Sequence, residues 1–246
     1  SLLADLLSGV RHEGTPAGKL EEIAGVKTYI ALPEGEYDKT KAVIYLCDAF
    51  GIELENNLLL CDDFARNGYQ VYAPDLFEGE AATPEFLDDR AAFDFMAWLG
   101  RHSPAHNFTR VKGVLDELRK QGVTRFAGTG YCYGGRMVFD FAFADEIQVS
   151  ATSHPSLLQI ADLEKYASTA KAPLLINACE VDEQFPKEKQ DKALELLQDF
   201  KPGFKQAYFD GCVHGFAVRG DMSDPKVKAG KEGAFSNTVE WFKKYL

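Results

Sequence analysis

Gly130-Tyr131-Cys132-Tyr133-Gly134-Gly135 is the stretch that decides the reading of this chain. It stands between Thr124–Gly130, which reads as a strand, and Arg136–Ala144, which reads as a helix. Glycines two residues before and two after a nucleophilic side chain mark a sharp strand-to-helix elbow. Its apex is strained, so the flanking positions must carry no bulk. The turn lifts the apical side chain above the sheet, at the N-terminus of the next helix. The helix dipole and free amides there favour a thiolate. The competing reading is a phosphate-binding turn, because Gly128-Thr129-Gly130 opens the motif. That pattern needs glycine at 133, which is tyrosine. It also needs an acidic residue at a neighbouring strand end about 20 residues on, and none is there. The elbow accounts for the residues better.

Working outward, strands and helices alternate. Val26–Leu32 reads as a first strand at an edge. Ala42–Cys47 is a near-continuous apolar run, as expected of a strand covered on both faces. Gln70–Ala73, Val149–Thr152, Pro173–Ala178 and Gln206–Asp210 complete the strand set. Helices are expected over Asn56–Arg66, Phe86–Arg101, Phe108–Gln121, Lys187–Phe200 and Lys226–Lys244. Gly79–Pro84 reads as a mobile surface loop. Such alternation implies an α/β fold, a mostly parallel sheet with helices on both faces. The expected organisation is one α/β-hydrolase-type domain over 1–246.

An α/β-hydrolase supplies nucleophile, acid and histidine in that chain order. Asp182 follows the strand Pro173–Ala178, and His214 follows the last strand. Both sit at strand C-terminal ends, where sites gather in parallel sheets. His214 would take the thiol proton while Asp182 orients the imidazole. Glu180, Glu183 and Asp210 compete for the acid role, and His154 for the base. His154 precedes the acid strand, so its order is wrong, and a structural or pocket-lining role is expected. His12 lies in the N-terminal stretch, and His102 and His106 read as surface residues. Ser153 and Ser156 read as turn residues. Cys47, Cys61, Cys179 and Cys212 read as small buried hydrophobes.

Composition sets limits on the rest. The chain has 27 basic and 38 acidic residues, a net charge of −11, which repels phosphate backbones and anionic membranes. Neither nucleic acid nor membrane is expected as a partner. Five widely spaced cysteines without a CxxC argue against a disulfide framework and a thiolate zinc site, and for reduced thiols in a cytoplasmic protein. The opening SLLADLLSGV has no basic n-region, so it does not read as a signal peptide.

Taken together, these residues resemble the dienelactone hydrolase family, α/β-hydrolases with a cysteine nucleophile. The matching segments are Cys47-Asp48-Ala49-Phe50-Gly51, Ala73-Pro74-Asp75-Leu76-Phe77, Gly130–Gly135, Glu180-Val181-Asp182 and His214-Gly215-Phe216. They stand in family order from about residue 25 onward, leaving about 1–24 as an N-terminal extension. The resemblance implies a Cys132–His214–Asp182 triad, with an oxyanion hole formed by the Ala49 and Tyr133 amides. It implies a role in thiol activation for the carboxylate at Asp48, where the family commonly has Glu. It implies arginines that hold a substrate carboxylate, for which Arg90 and Arg219 are the candidates. It implies no metal or organic cofactor. The expected activity is cleavage of a small ester or lactone through an acyl-enzyme. An acyltransferase or thioesterase on the same triad, or a non-catalytic binding relative, is the alternative.

Overall fold

The computed structural model describes residue 12, residues 14–83 and residues 93–246. Eight strands form one sheet: β1 (Lys19–Ile23), β2 (Val26–Ala31), β3 (Lys41–Leu46), β4 (Gln70–Pro74), β5 (Arg125–Tyr131), β6 (Val149–Ser153), β7 (Leu174–Val181) and β8 (Phe204–Val213). Their spatial order is β1-β2-β4-β3-β5-β6-β7-β8. The β1–β2 and β2–β4 pairings are antiparallel, and all the others are parallel. This is the α/β-hydrolase-type architecture expected from the sequence.

The inner strands are apolar because both their faces are covered. Val43, Ile44, Tyr45 and Leu46 of β3 are buried, as are Phe126 and Ala127 of β5 and Leu174, Leu175 and Ile176 of β7. On one face lie α1 (Glu55–Arg66) and a long C-terminal helix (Pro225–Tyr245). They are joined by the ring of Phe64, 4.8 Å from that of Phe235 and 5.8 Å from that of Phe242. Removing a buried ring of this kind costs about 3–5 kcal/mol.

After α1 come α2 (Phe95–Arg101), α3 (Pro104–Lys120), α4 (Tyr133–Phe143), α5 (Ile160–Thr169), α6 (Lys187–Leu197) and the short α7 (Phe216–Arg219); the C-terminal helix is α8. The other face carries α3 to α6, with Phe108 of α3 stacked on Phe141 of α4 at 4.7 Å.

Four sequence expectations are corrected. Val26–Leu32 does not form the sheet edge: β1 pairs outside it, within the stretch expected as an extension. β1 was invisible because KLEEI has four exposed residues and no apolar alternation. The helix expected from Phe108 starts at Pro104, with Ser103 capping it. His102 is buried, not at the surface, and its Nε2 lies 2.9 Å from Glu80. Last, the loop from Gly79 is held down through Ala82, which is 1% exposed and whose N–H donates to Ala49 O at 2.9 Å. Pro84 and the first part of the helix expected over Phe86–Arg101 lie outside the described residues.

Candidate active site

Five strand ends converge at the carboxyl edge of the sheet. β5 delivers Cys132 at the elbow. Cys132 has φ 53° and ψ −114° and stands at the N-cap of α4. A non-glycine residue held there costs about 1–3 kcal/mol, which the surrounding packing must outweigh. The flanking glycines are required by close approach. A Cβ at Gly130 would meet the Gly134 carbonyl oxygen at 2.1 Å, and one at Gly134 would meet the Leu46 oxygen at 1.9 Å. The elbow is thus pressed against its own strand and against the end of β3.

β7 delivers Asp182 and β8 delivers His214. The His214 Nδ1 lies 2.9 Å from Asp182 Oδ1, with both side chains buried. Asp182 Oδ1 also accepts the amides of Gln184 at 2.8 Å and Phe185 at 3.1 Å, which fix the carboxylate. Burial pulls the His214 imidazolium down. The neighbouring Cys132 and Asp182 outweigh it, and the His214 pKa is pushed up to about 10.

β6 brings the residue that the sequence reading missed. Ser156, read as a turn residue, is 2% exposed and lies inside the site. Its Oγ is 3.2 Å from Cys132 Sγ and 3.5 Å from His214 Nε2. Nothing local in Ser153-His154-Pro155-Ser156 announces this, because the placement depends on the loop folding back over the elbow. His154 lies beside it, with its ring centroid 5.0 Å from that of His214. Neither of its ring nitrogens has a hydrogen-bond partner among the described residues. Burial pushes its pKa well below the usual value, and the charges of His214 and Arg219 add to the effect. It is a neutral imidazole.

β3 delivers the loop of Asp48 and Ala49. Among the described residues, neither the Ala49 nor the Tyr133 amide donates to a backbone carbonyl of a turn, loop or cap. The Tyr133 ring is anchored away from the elbow, its hydroxyl donating to His102 O at 2.7 Å and accepting from Asn107 Nδ2 at 2.9 Å.

Asp48 faces Arg219. One of its oxygens pairs with Arg219 Nη1 in a contact where both side chains are at most 2% exposed. Its other oxygen accepts from Asn57 Nδ2 at 2.9 Å and Phe50 N at 3.2 Å. The Arg219 guanidinium stacks over Phe50 at 4.7 Å. Gly215 leaves room for it, since a Cβ there would meet Arg219 Nη2 at 2.6 Å. Arg219 is therefore a buried cation and not a surface charge. Arg90 lies outside the described residues.

The other four cysteines are buried. Burial pushes the Cys47 and Cys61 thiols well up, and Cys212 to about 11. Among the described residues no group of three or more His, Cys, Asp or Glu side chains is placed to hold a metal ion. No helix among them is long and apolar enough to cross a membrane.

The sheet order and the elbow define a protein of the α/β-hydrolase type, and solved structures share that fold. One from Klebsiella pneumoniae superposes with a TM-score of 0.75 at 16% identity, covering 94% of this chain and 100% of the other. The dienelactone hydrolase from Anabaena variabilis does so with a TM-score of 0.63 at 14% identity, covering 93% and 99%. In sequence, Hydrolase pyvD of Aspergillus violaceofuscus is 34% identical over 243 residues, 98% of this chain and 95% of that protein. Dienlactone hydrolase 1 of Gibberella moniliformis is 31% identical over 252 residues, 99% and 94% of the two chains. Residues 26–246 match the model of the dienelactone hydrolase family, and the chain belongs to that family. It is a carboxylic ester hydrolase.

Proposed function

We propose that this hydrolase cleaves a small ester or lactone through a Cys132–His214–Asp182 triad and an acyl-enzyme. The observation that carries the reading is the run from Cys132 Sγ through Ser156 Oγ to His214 Nε2, and from His214 Nδ1 to Asp182, all buried at one end of the sheet.

The Cys132 sulfur attacks the substrate carbonyl carbon after its proton has passed to His214. Charge then develops on the carbonyl oxygen. The Ala49 and Tyr133 amides are the available donors for it, and one such donor contributes about 10²–10³ in rate. His214 returns the proton to the leaving oxygen as the tetrahedral intermediate collapses. In the second half, water gives a proton to His214 and its oxygen attacks the thioester, releasing the acid and restoring the thiol. Asp182 holds the imidazole in the tautomer that presents Nε2 to the reacting groups.

A substrate that bears a carboxylate would need a cation. Arg219 is the described candidate, and its charge is already matched by Asp48. Such a substrate has to draw Arg219 partly away from that partner. Comparing kcat/KM for an anionic ester and its methyl ester, in the parent and in Arg219→Met, reads this directly. An equal loss for both substrates removes carboxylate recognition by Arg219.

The triad itself is tested with a slowly turned-over aryl ester. Intact-mass analysis should show a single acyl adduct that maps to Cys132. Cys132→Ala should lose about 10⁴-fold or more in kcat. Limiting iodoacetamide should label Cys132 ahead of the four other cysteines. An adduct elsewhere with turnover retained overturns the nucleophile assignment.

A further inference from the structure

The loop after β6 is fastened to the nucleophile from both sides. Cys132 N–H donates to Ser153 O at 3.3 Å, and Ser156 N–H donates to Cys132 O at 2.9 Å. Pro155, between them, packs where a Cβ on Gly135 would meet it at 2.6 Å. His154 at φ 39° and Leu157 at φ 63° flank the segment, both non-glycine residues in the left-handed region. Strain of that kind persists only where the surroundings over-determine the backbone. Here it fixes one side chain, Ser156, whose oxygen lies between the sulfur and the base.

We propose that Ser156 is a hydroxyl relay that passes the proton between Cys132 Sγ and His214 Nε2. The inference rests on the triad reading above and adds a residue to it. A serine hydroxyl has one donor and two acceptor positions, so it fits both protonation states without moving. In the neutral state the thiol donates to Ser156 Oγ, and the Ser156 hydroxyl donates to His214 Nε2. Transfer breaks the S–H bond and forms a new O–H bond. In the same step the original Ser156 proton leaves for Nε2. The products are a thiolate, an intact hydroxyl and an imidazolium, with the same two protons. In that state Nε2–H donates to Oγ and the hydroxyl donates to the thiolate.

The ionisable groups around this path come from every neighbouring loop. Asp182 follows β7, His214 follows β8 and His154 shares the β6 loop. Asp48 follows β3, and Arg219 lies in α7 against it. Asp182 is fixed on Nδ1, the far side of the imidazole. Arg219 is matched by Asp48. His154 is neutral and has no hydrogen-bond partner among the described residues. Ser156 lies within hydrogen-bond distance of both ends, beside a direct side-chain interaction of Cys132 with His214.

The test compares the parent protein with Ser156→Ala, Ser156→Thr, Cys132→Ala and His214→Gln. Two readouts are used: the pH profile of Cys132 alkylation by iodoacetamide, and the proton inventory of kcat/KM in mixed light and heavy water. Ser156→Ala should slow alkylation at neutral pH by about 10- to 100-fold, within the range of general acid–base effects. Its profile should shift toward that of a free thiol while the melting temperature stays within a few degrees. Ser156→Thr should restore the parent profile. The parent inventory should be bowed, from two protons in flight, and that of Ser156→Ala linear. Should the threonine variant not fold, the parent inventory decides. A linear parent inventory, or an unchanged alkylation profile in Ser156→Ala while Cys132→Ala and His214→Gln are inactive, overturns the relay and leaves the triad standing. Turnover retained in Cys132→Ala but lost in Ser156→Ala makes the serine itself the nucleophile and overturns both.

Discussion

Asp182 and Asp48 are two buried carboxylates at the carboxyl edge of one sheet, with β5 and β6 between the strands that carry them. Asp182 is one residue beyond β7, and Asp48 two beyond β3. Each accepts from backbone amides of its own loop. They differ in the partner opposite. Asp182 faces an imidazole, a group able to take up and release a proton. Asp48 faces a guanidinium, which stays charged at every working pH, and an amide from Asn57. A carboxylate against a titrating partner governs where a proton resides. One against a permanent cation governs where the backbone resides. Asp48 therefore ties its loop to α7, and Asp182 fixes the His214 ring.

The largest expected effect comes from breaking the first half of that contrast. Asp182→Asn keeps an oxygen for the Gln184 and Phe185 amides but no longer selects the His214 tautomer. It should cost about 10⁴-fold in kcat, with a melting temperature close to the parent's. A steady-state assay beside a thermal melt checks both parts.

Breaking the second half should act on stability instead. Asp48→Asn removes the buried carboxylate that pairs with the Arg219 guanidinium, and breaking a buried pair from one side costs about 3–5 kcal/mol. Pairing Asp48→Asn with Arg219→Met removes both charges of the pair and should recover most of the loss. Denaturant titration of both variants measures the difference. A paired variant no more stable than Asp48→Asn alone would show that the loop, rather than the charge, carries the cost.

The contrast also appears in pH dependence. The folded-state pKa of His214 is raised to about 10, above the unfolded value of about 6.5. The stability it contributes is fully present below about 6.5 and is lost as pH rises through about 10. Unfolding free energy followed from pH 6 to 10 should fall more steeply in the parent than in His214→Gln. Cys132→Ala should flatten the slope, because Cys132 is among the influences that raise His214. Arg219→Met should leave the slope across this interval in place.

The smallest effect is expected at His154. Its ring nitrogens have no hydrogen-bond partner among the described residues, and its ring packs edge-on to His214 and Phe216. His154→Phe keeps the shape and removes the buried polar atoms, so stability should hold or rise by about 1 kcal/mol.

The sequence made the centre of the sheet legible and left its margins obscure, for physical reasons. β3 and β5 are covered on both faces, so burial wrote itself into apolar runs. The elbow was legible because close approach allows only glycine at 130 and 134. β8 was read to Asp210, yet it continues through Gly211 to Val213 across an irregularity in its pairing with β7. α5 went unread because Gln159, an uncommon cap, takes the place of Ser, Thr, Asp or Asn in its capping box. Asp182 and His214 could be named from chain order alone. Ser156 could not, because its role depends on tertiary placement: the two backbone hydrogen bonds that bind its loop to Cys132 leave no local pattern. The Asp48–Arg219 pair joins residues 171 positions apart, a distance no motif spans.

The convergence of five strand ends has a consequence for how the protein is made. Synthesis reaches Cys132 well before His214, and β8 must dock on the sheet before the imidazole reaches the elbow. Until then the emerging chain carries an ordinary cysteine with no base beside it. On the proposed triad, reactivity would arrive late, as the last strand closes, and fast labelling of Cys132 would then time completed folding.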